Sequence, residues 1–173
     1  MMDIIFENAI NLFQSVVVTA FLMAGLGCKD KYNKKCTGII GIVITFIYLT
    51  VSNHIVFFES AGIYIYMVYS LIFSFLVLSG NVIEKIFYNI IMLCCITGAT
   101  FLGGGLVSLV VKKDFLNAHR YGTAERYVGI ILVQVILSVL FILIIKFKQM
   151  LKEKDNQYML IMSLIPAISV VVC

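Results

Sequence analysis

The sequence predicts an all-α fold, a polytopic transmembrane bundle of six helices in which the last is cut short at Cys173. Three observations lead there. Hydrophobic residues make up 62% of the chain and charged residues only 13%, which leaves too little polar surface to cover a water-soluble core. Six apolar stretches of 16 to 26 residues fill nearly the whole chain. Charged and polar residues gather in short breaks between these stretches, as they do where a chain leaves and re-enters a bilayer.

A helix rises about 1.5 Å per residue and the hydrocarbon layer is about 30 Å thick, so each crossing needs about 20 apolar residues. The first segment, Ile4–Leu26, satisfies this. Its polar residues Glu7, Asn11, Gln14 and Ser15 fall at i, i+4, i+7 and i+8, one face of a helix, and that face is expected to look into the bundle. Buried polar side chains in lipid either fix helix packing or contact a ligand, and Glu7 and Asn11 are the candidates for contact. Asp3 and Glu7 stand where a secretory signal would carry basic residues, so the segment reads as a retained helix.

The second segment, Thr37–Phe58, ends on Asn53 and His54 just before a turn containing Glu59. A histidine at the interface can sense protons or touch a ligand, which makes Asn53, His54 and Glu59 further candidates. The third, Ala61–Ser79, alternates loosely as far as Tyr69. Barrel strands, however, are only about 9–11 residues long and alternate polar with apolar, so a helix fits better. The fourth, Ile86–Val111, carries Cys95, Ala99 and Gly103 four residues apart, a small-residue face that admits a close neighbour. Gly103, Gly104 and Gly105 each weaken a helix by about 1 kcal/mol relative to alanine, and a bend or hinge is expected there. No strand precedes them and no Gly-Lys-Ser/Thr ending follows, so they form no phosphate loop. The fifth is Tyr127–Ile145. The sixth, Tyr158–Cys173, holds 16 residues, reaches only about 24 Å and carries the lone Pro166, a second expected kink. More chain is expected in the intact protein.

Thirteen basic residues set the orientation. Lys29, Lys31, Lys34 and Lys35 lie in the first break, Lys85 in the third, and Lys146, Lys148, Lys152 and Lys154 in the fifth. Lys112, Lys113, Arg120 and Arg126 lie in the fourth. The odd-numbered breaks share one side and hold nine basic residues against four, so the amino terminus is expected outside the cell. The turn at Glu59 and the longer loop Lys112–Arg126 then face outward. A cytoplasmic domain after the sixth helix would require a seventh crossing.

The net charge of +4 is spread over these breaks, which suits membrane anchoring and gives no nucleic-acid footprint. Cys28 and Cys36 flank a lysine cluster without a second pair of ligands, so no metal site is expected. Cys94, Cys95 and Cys173 sit in apolar helices, where cysteine behaves as a small hydrophobe. His54 shares no local motif with Cys94 or Cys95, and no catalytic constellation emerges.

The order of segments and their edges, "NLFQSVVVTAFL", "CKDKYNKKC", "VSNHIVFFES", "LVLSGNVIEKIFYNIIM" and "LKEKDNQYMLIMSLIPAISVVV", resembles the membrane sensor half of Gram-positive histidine kinases. These are the peptide-pheromone receptors of the accessory gene regulator type and their relatives with a GHKL-type ATPase domain. The similarity covers essentially all of residues 1–173 as one sensor domain, and its most specific piece is the charged break leading into "LIPAIS", with Pro166 and Ser169. It implies detection of an extracellular signal, a peptide among the options, and relay across the plasma membrane. A homodimer, a response regulator, and a kinase domain using ATP and Mg would follow beyond Cys173. His54 and His119 are on the membrane or outer side and are not the phospho-accepting residue. A competing expectation is a substrate-binding membrane subunit of a vitamin or metal importer, for which Ala20 and Ala24 would form a small-residue docking contact.

Overall fold

A computed structural model describes residues 2–54, 58–112 and 123–152. The sixth segment with Pro166, residues 113–122 of the fourth break, and the side chains of Asn53, His54 and Glu59 lie outside that description. The described residues form five helices: α1 (Met2–Leu26), α2 (Lys34–His54), α3 (Phe58–Val77), α4 (Val82–Val111) and α5 (Ala124–Lys152). Among them there is no strand beyond one isolated antiparallel bridge, Cys28 with Leu78. Each helix packs on its chain neighbour, α5 closes back onto α1, and α1 also touches α4 across the middle.

Four of the five, α1, α2, α4 and α5, are long and apolar enough to cross a membrane. In α3 the apolar run is Tyr64–Val77, shorter than the Ala61–Ser79 crossing expected from the sequence. The packing is that of a protein whose solvent is lipid. Ile39, Ile40, Val43 and Ile47 of α2 form an exposed stripe, while Asn11, Ser15, Thr45, Ser74, Asn89 and Gln134 are buried. In water the opposite distribution would hold.

Several of the buried polar side chains donate to nearby acceptors, as the absence of water in a bilayer core favours. Ser15 Oγ donates to Asn11 O at 2.6 Å, Thr45 Oγ1 to Gly41 O at 2.7 Å, and Ser74 Oγ to Ser70 O at 2.8 Å. Asn89 Nδ2, wholly buried, donates to Ser74 Oγ at 2.9 Å and ties α4 to α3. Tyr48 of α2 stacks on Tyr66 of α3 with ring centroids 5.3 Å apart.

The helices begin earlier than the apolar pattern predicts: α2 starts at Lys34 rather than Thr37, α4 at Val82 rather than Ile86, and α5 at Ala124 rather than Tyr127. Charged residues near helix ends extend to the interface on long stems, so a helix continues through them. In α4, Asn81 N donates to Glu84 Oε2 at 2.9 Å, capping the first turn. Glu59 is likewise inside α3, not in a turn.

The first and third breaks are zipped together. Ser79 N donates to Gly27 O and Lys29 N to Val77 O, both at 3.1 Å. Gly27 closes α1 in the left-handed region, φ +77, where a side chain would be strained. Lys29 Nζ donates to the carbonyls of Phe75 and Leu76, at 2.7 and 3.0 Å, at the negative end of α3. The fifth break reaches the same end, because Lys148 Nζ of α5 donates to Gly25 O and lies 5.0 Å from the Tyr88 ring centroid. The odd-numbered breaks therefore share one end of the bundle, as the alternation of crossings requires.

Candidate functional site

The polar face of α1 does look inward, and it meets a polar face of α5. Arg126 Nη2 lies 2.6 Å from Glu7 Oε1, with both side chains largely buried, at 14% and 17% exposure. Phe6 meets Tyr127 edge-on with centroids 4.7 Å apart. Two turns deeper Gln134 Nε2 donates to Gln14 Oε1 at 3.1 Å. Deeper still, Phe21 stacks on Phe141 at 4.0 Å. Partners on the two helices therefore keep a nearly constant sequence offset from the Glu7 end to Lys148, which defines two parallel helices in register. Glu7, Gln14 and Phe21 are seven residues apart, as are Tyr127, Gln134, Phe141 and Lys148. That spacing is the heptad of a coiled seam, in which a polar layer fixes register.

A cavity of about 350 Å³ opens beside the upper half of this seam. Glu7, Asn11 and Gln14 of α1 and Arg126 and Gln134 of α5 give it a polar side. Ile10, Leu49, Ile130 and Val133 give it an apolar one, and Thr100 of α4 completes the wall. This volume lies at the low end of small-molecule sites, about 300–1,000 Å³, and the mixed lining is typical of them.

Of the residues singled out from sequence, Glu7 and Asn11 line this cavity. Asn53 and His54 end α2, one turn beyond the cavity residue Leu49, and Glu59 lies in the first turn of α3. Gly103–Gly105 lie within α4, which continues as a helix through all three to Val111. Gly103 is buried against α5, close to the backbone of Val133, so the small-residue face is used for packing. Sequence reading missed Arg126 as a partner of Glu7, and missed Gln134 altogether. A glutamine inside an apolar run is expensive in lipid, and that alone could have singled out Gln134.

No protein-family model matches the chain, and no curated protein or solved structure is significantly similar to it. The functional reading rests on the cavity and on the distribution of charge.

Proposed function

We propose that the chain is the membrane-embedded sensor part of a two-component histidine kinase, detecting an extracellular signal and relaying it to a cytoplasmic kinase module. The observation that supports this reading is the position of the polar cavity, at the end of the bundle opposite the lysine cluster. Basic residues favour the cytoplasm, so the Glu7–Arg126 end faces outward in the plasma membrane. Arg126 is compensated by Glu7, which sharpens the charge asymmetry among the described residues.

A signal entering from outside meets α1 and α5 together. The two helices carry a displacement at Gln134 over about 21 Å to Lys148, fourteen residues away at 1.5 Å each. Relay requires an element with two arrangements that the signal distinguishes, and the Gln14–Gln134 layer is the natural one. Dimerisation, ATP, Mg and the response regulator belong to the kinase module of this proposal.

Reading the coding sequence beyond Cys173 tests it. The expected result is a seventh apolar stretch, a helix bearing a histidine, and then an Asn- and Gly-rich ATP-binding region. A stop codon within a few tens of residues would overturn it. The importer-subunit reading would then gain, since Ala20 and Ala24 are exposed on α1, where a coupling helix could dock.

A further inference from the structure

Lys85, near the start of α4, is only 6% exposed. Its Nζ lies 5.4 Å from the centroid of the Phe75 ring, and among the described residues it has no hydrogen bond and no ion pair. The ammonium is nevertheless not sealed in. The enclosed polar atoms without a partner are Thr50 Oγ1, Tyr66 OH, Asn89 Oδ1, Ser108 Oγ and Gln134 Oε1, and Lys85 Nζ is not one of them. A covered stem with an open head is the form in which a lysine reaches a membrane surface.

The electrostatic setting of Lys85 favours an anion. The positive end of the α4 dipole opposes a cation in the opening turns. Lys29 brings a second cation, donating from its Nζ to Phe75 O at 2.7 Å and Leu76 O at 3.0 Å, so the two ammoniums meet at Phe75. Nearby carboxylates do not neutralise them: Glu84 accepts from Asn81 N at 2.9 Å, and neither it nor Asp30 forms an ion pair with either lysine. A covered cation without a counterion is costly, and an anion from outside the chain stabilises it.

An apolar track leads away from the same point. Val68, Ile72 and Phe75 stand at i, i+4 and i+7 of α3, all exposed, on one face that runs from the two ammoniums into the hydrocarbon. A free phosphate ion would leave this track bare, whereas a phospholipid fills both parts. We infer that Lys85 and Lys29 hold the phosphate of an anionic phospholipid where the first and third breaks meet, with an acyl chain along Val68, Ile72 and Phe75. The lipid site does not depend on the sensor proposal.

The test uses the full chain in nanodiscs of phosphatidylcholine, whose phosphate is matched by its own choline cation, with a rising share of phosphatidylglycerol at fixed salt. A lipid that binds only the folded protein raises its melting temperature as the amount of that lipid increases. The parent chain is expected to melt higher as phosphatidylglycerol is added. Lys85→Gln is expected to need about tenfold more of it for half the shift, the loss of one charge-assisted hydrogen bond, and Lys29→Gln to weaken the response in the same direction. Lys35→Gln removes an exposed lysine at the same end and is expected to change the requirement far less, which separates a site from the diffuse attraction of a basic surface. The melting temperature of each variant in pure phosphatidylcholine verifies folding. No response of the parent, or equal losses in Lys85→Gln and Lys35→Gln, would overturn the inference. A response to inorganic phosphate with none to phosphatidylglycerol would overturn it in favour of the free ion. A parent indifferent to phosphatidylglycerol that responds after Glu153→Gln/Asp155→Asn, two positions outside the described residues, would show that the chain supplies its own anion and would overturn it as well.

Discussion

At Gly103 an added methyl group would stand 2.6 Å from Val133 Cγ2, 3.2 Å from its backbone nitrogen and 3.3 Å from its Cα. A side-chain rotation relieves the first contact but not the other two, so Gly103→Ala is expected to push α4 and α5 apart and destabilise the bundle by about 1–3 kcal/mol. At Gly105 nothing lies within 4 Å of the new methyl, and only the helix-propensity gain remains. Gly105→Ala should therefore stabilise by about 0.5–1 kcal/mol. Thermal melting in nanodiscs measures both, and a Gly103→Ala chain as stable as the parent would show that the helices do not approach there as described. The same pair tests the hinge expected from sequence: under the sensor-kinase proposal, signalling that survives Gly105→Ala unchanged would argue against it. At this scale the sequence was partly legible. The inward-facing side of α1 that carries Glu7 and Asn11 was legible because helical periodicity puts them on one face. The partners Arg126 and Gln134 were not, since they lie about 120 residues away and no local pattern announces a tertiary contact.

The α1–α5 pair is held by an ion pair at one end, a carboxamide layer further in, an aromatic stack and a lysine–carbonyl bond at the other end. Removing one member of a largely buried ion pair strands the other, which costs about 3–5 kcal/mol in a dry interior. With both side chains retaining some exposure, Glu7→Ala is expected to cost about 1–3 kcal/mol. The double variant Glu7→Ala/Arg126→Ala should recover part of that loss, and a double-mutant cycle on melting free energies reads the coupling. Additive losses would show that the pair contributes nothing beyond its separate members. At the far end of α4, Lys112 adopts φ 55 and ψ 36 and its N–H donates to Ser108 O. A left-handed position suits glycine, so Lys112→Gly should slow hydrogen exchange at Val110 and Val111, corresponding to about 1 kcal/mol. Faster exchange in the variant would contradict that cap geometry. Five of the six expected segments coincide with helices α1–α5, because long apolar runs in lipid have few alternatives to a helix. Their boundaries were misplaced because hydropathy treats Lys34, Glu84 and Lys85 as breaks, whereas the backbone needs its hydrogen bonds whatever the side chain carries.

For the whole molecule, the contacts determine which breaks share an end, and the proposed orientation rests on the lysine count. Gly27–Ser79, Lys29–Val77 and Lys148–Gly25 hold the first, third and fifth breaks together. That end carries Lys29, Lys31, Lys34, Lys35 and Lys146, and the other carries Lys112 and the compensated Arg126. A lysine near an anionic leaflet gains about 1 kcal/mol, so several exposed lysines at one end, including Lys31, Lys34 and Lys35, outweigh what remains at the other. Cys36 gives a direct measure, since it is exposed in the first turn of α2 at the lysine-rich end. In a chain whose other cysteines are replaced by serine or alanine, a membrane-impermeant maleimide should fail to label intact cells and should label Cys36 once the membrane is opened. A cysteine placed at Ile4, exposed at the Glu7 end, should behave in the reverse way. The two positions bracket the bundle, so labelling of Cys36 in intact cells together with protection at residue 4 would invert the molecule. The cavity would then open to the cytoplasm, and the sensor reading would have to give way to recognition of a cytoplasmic molecule.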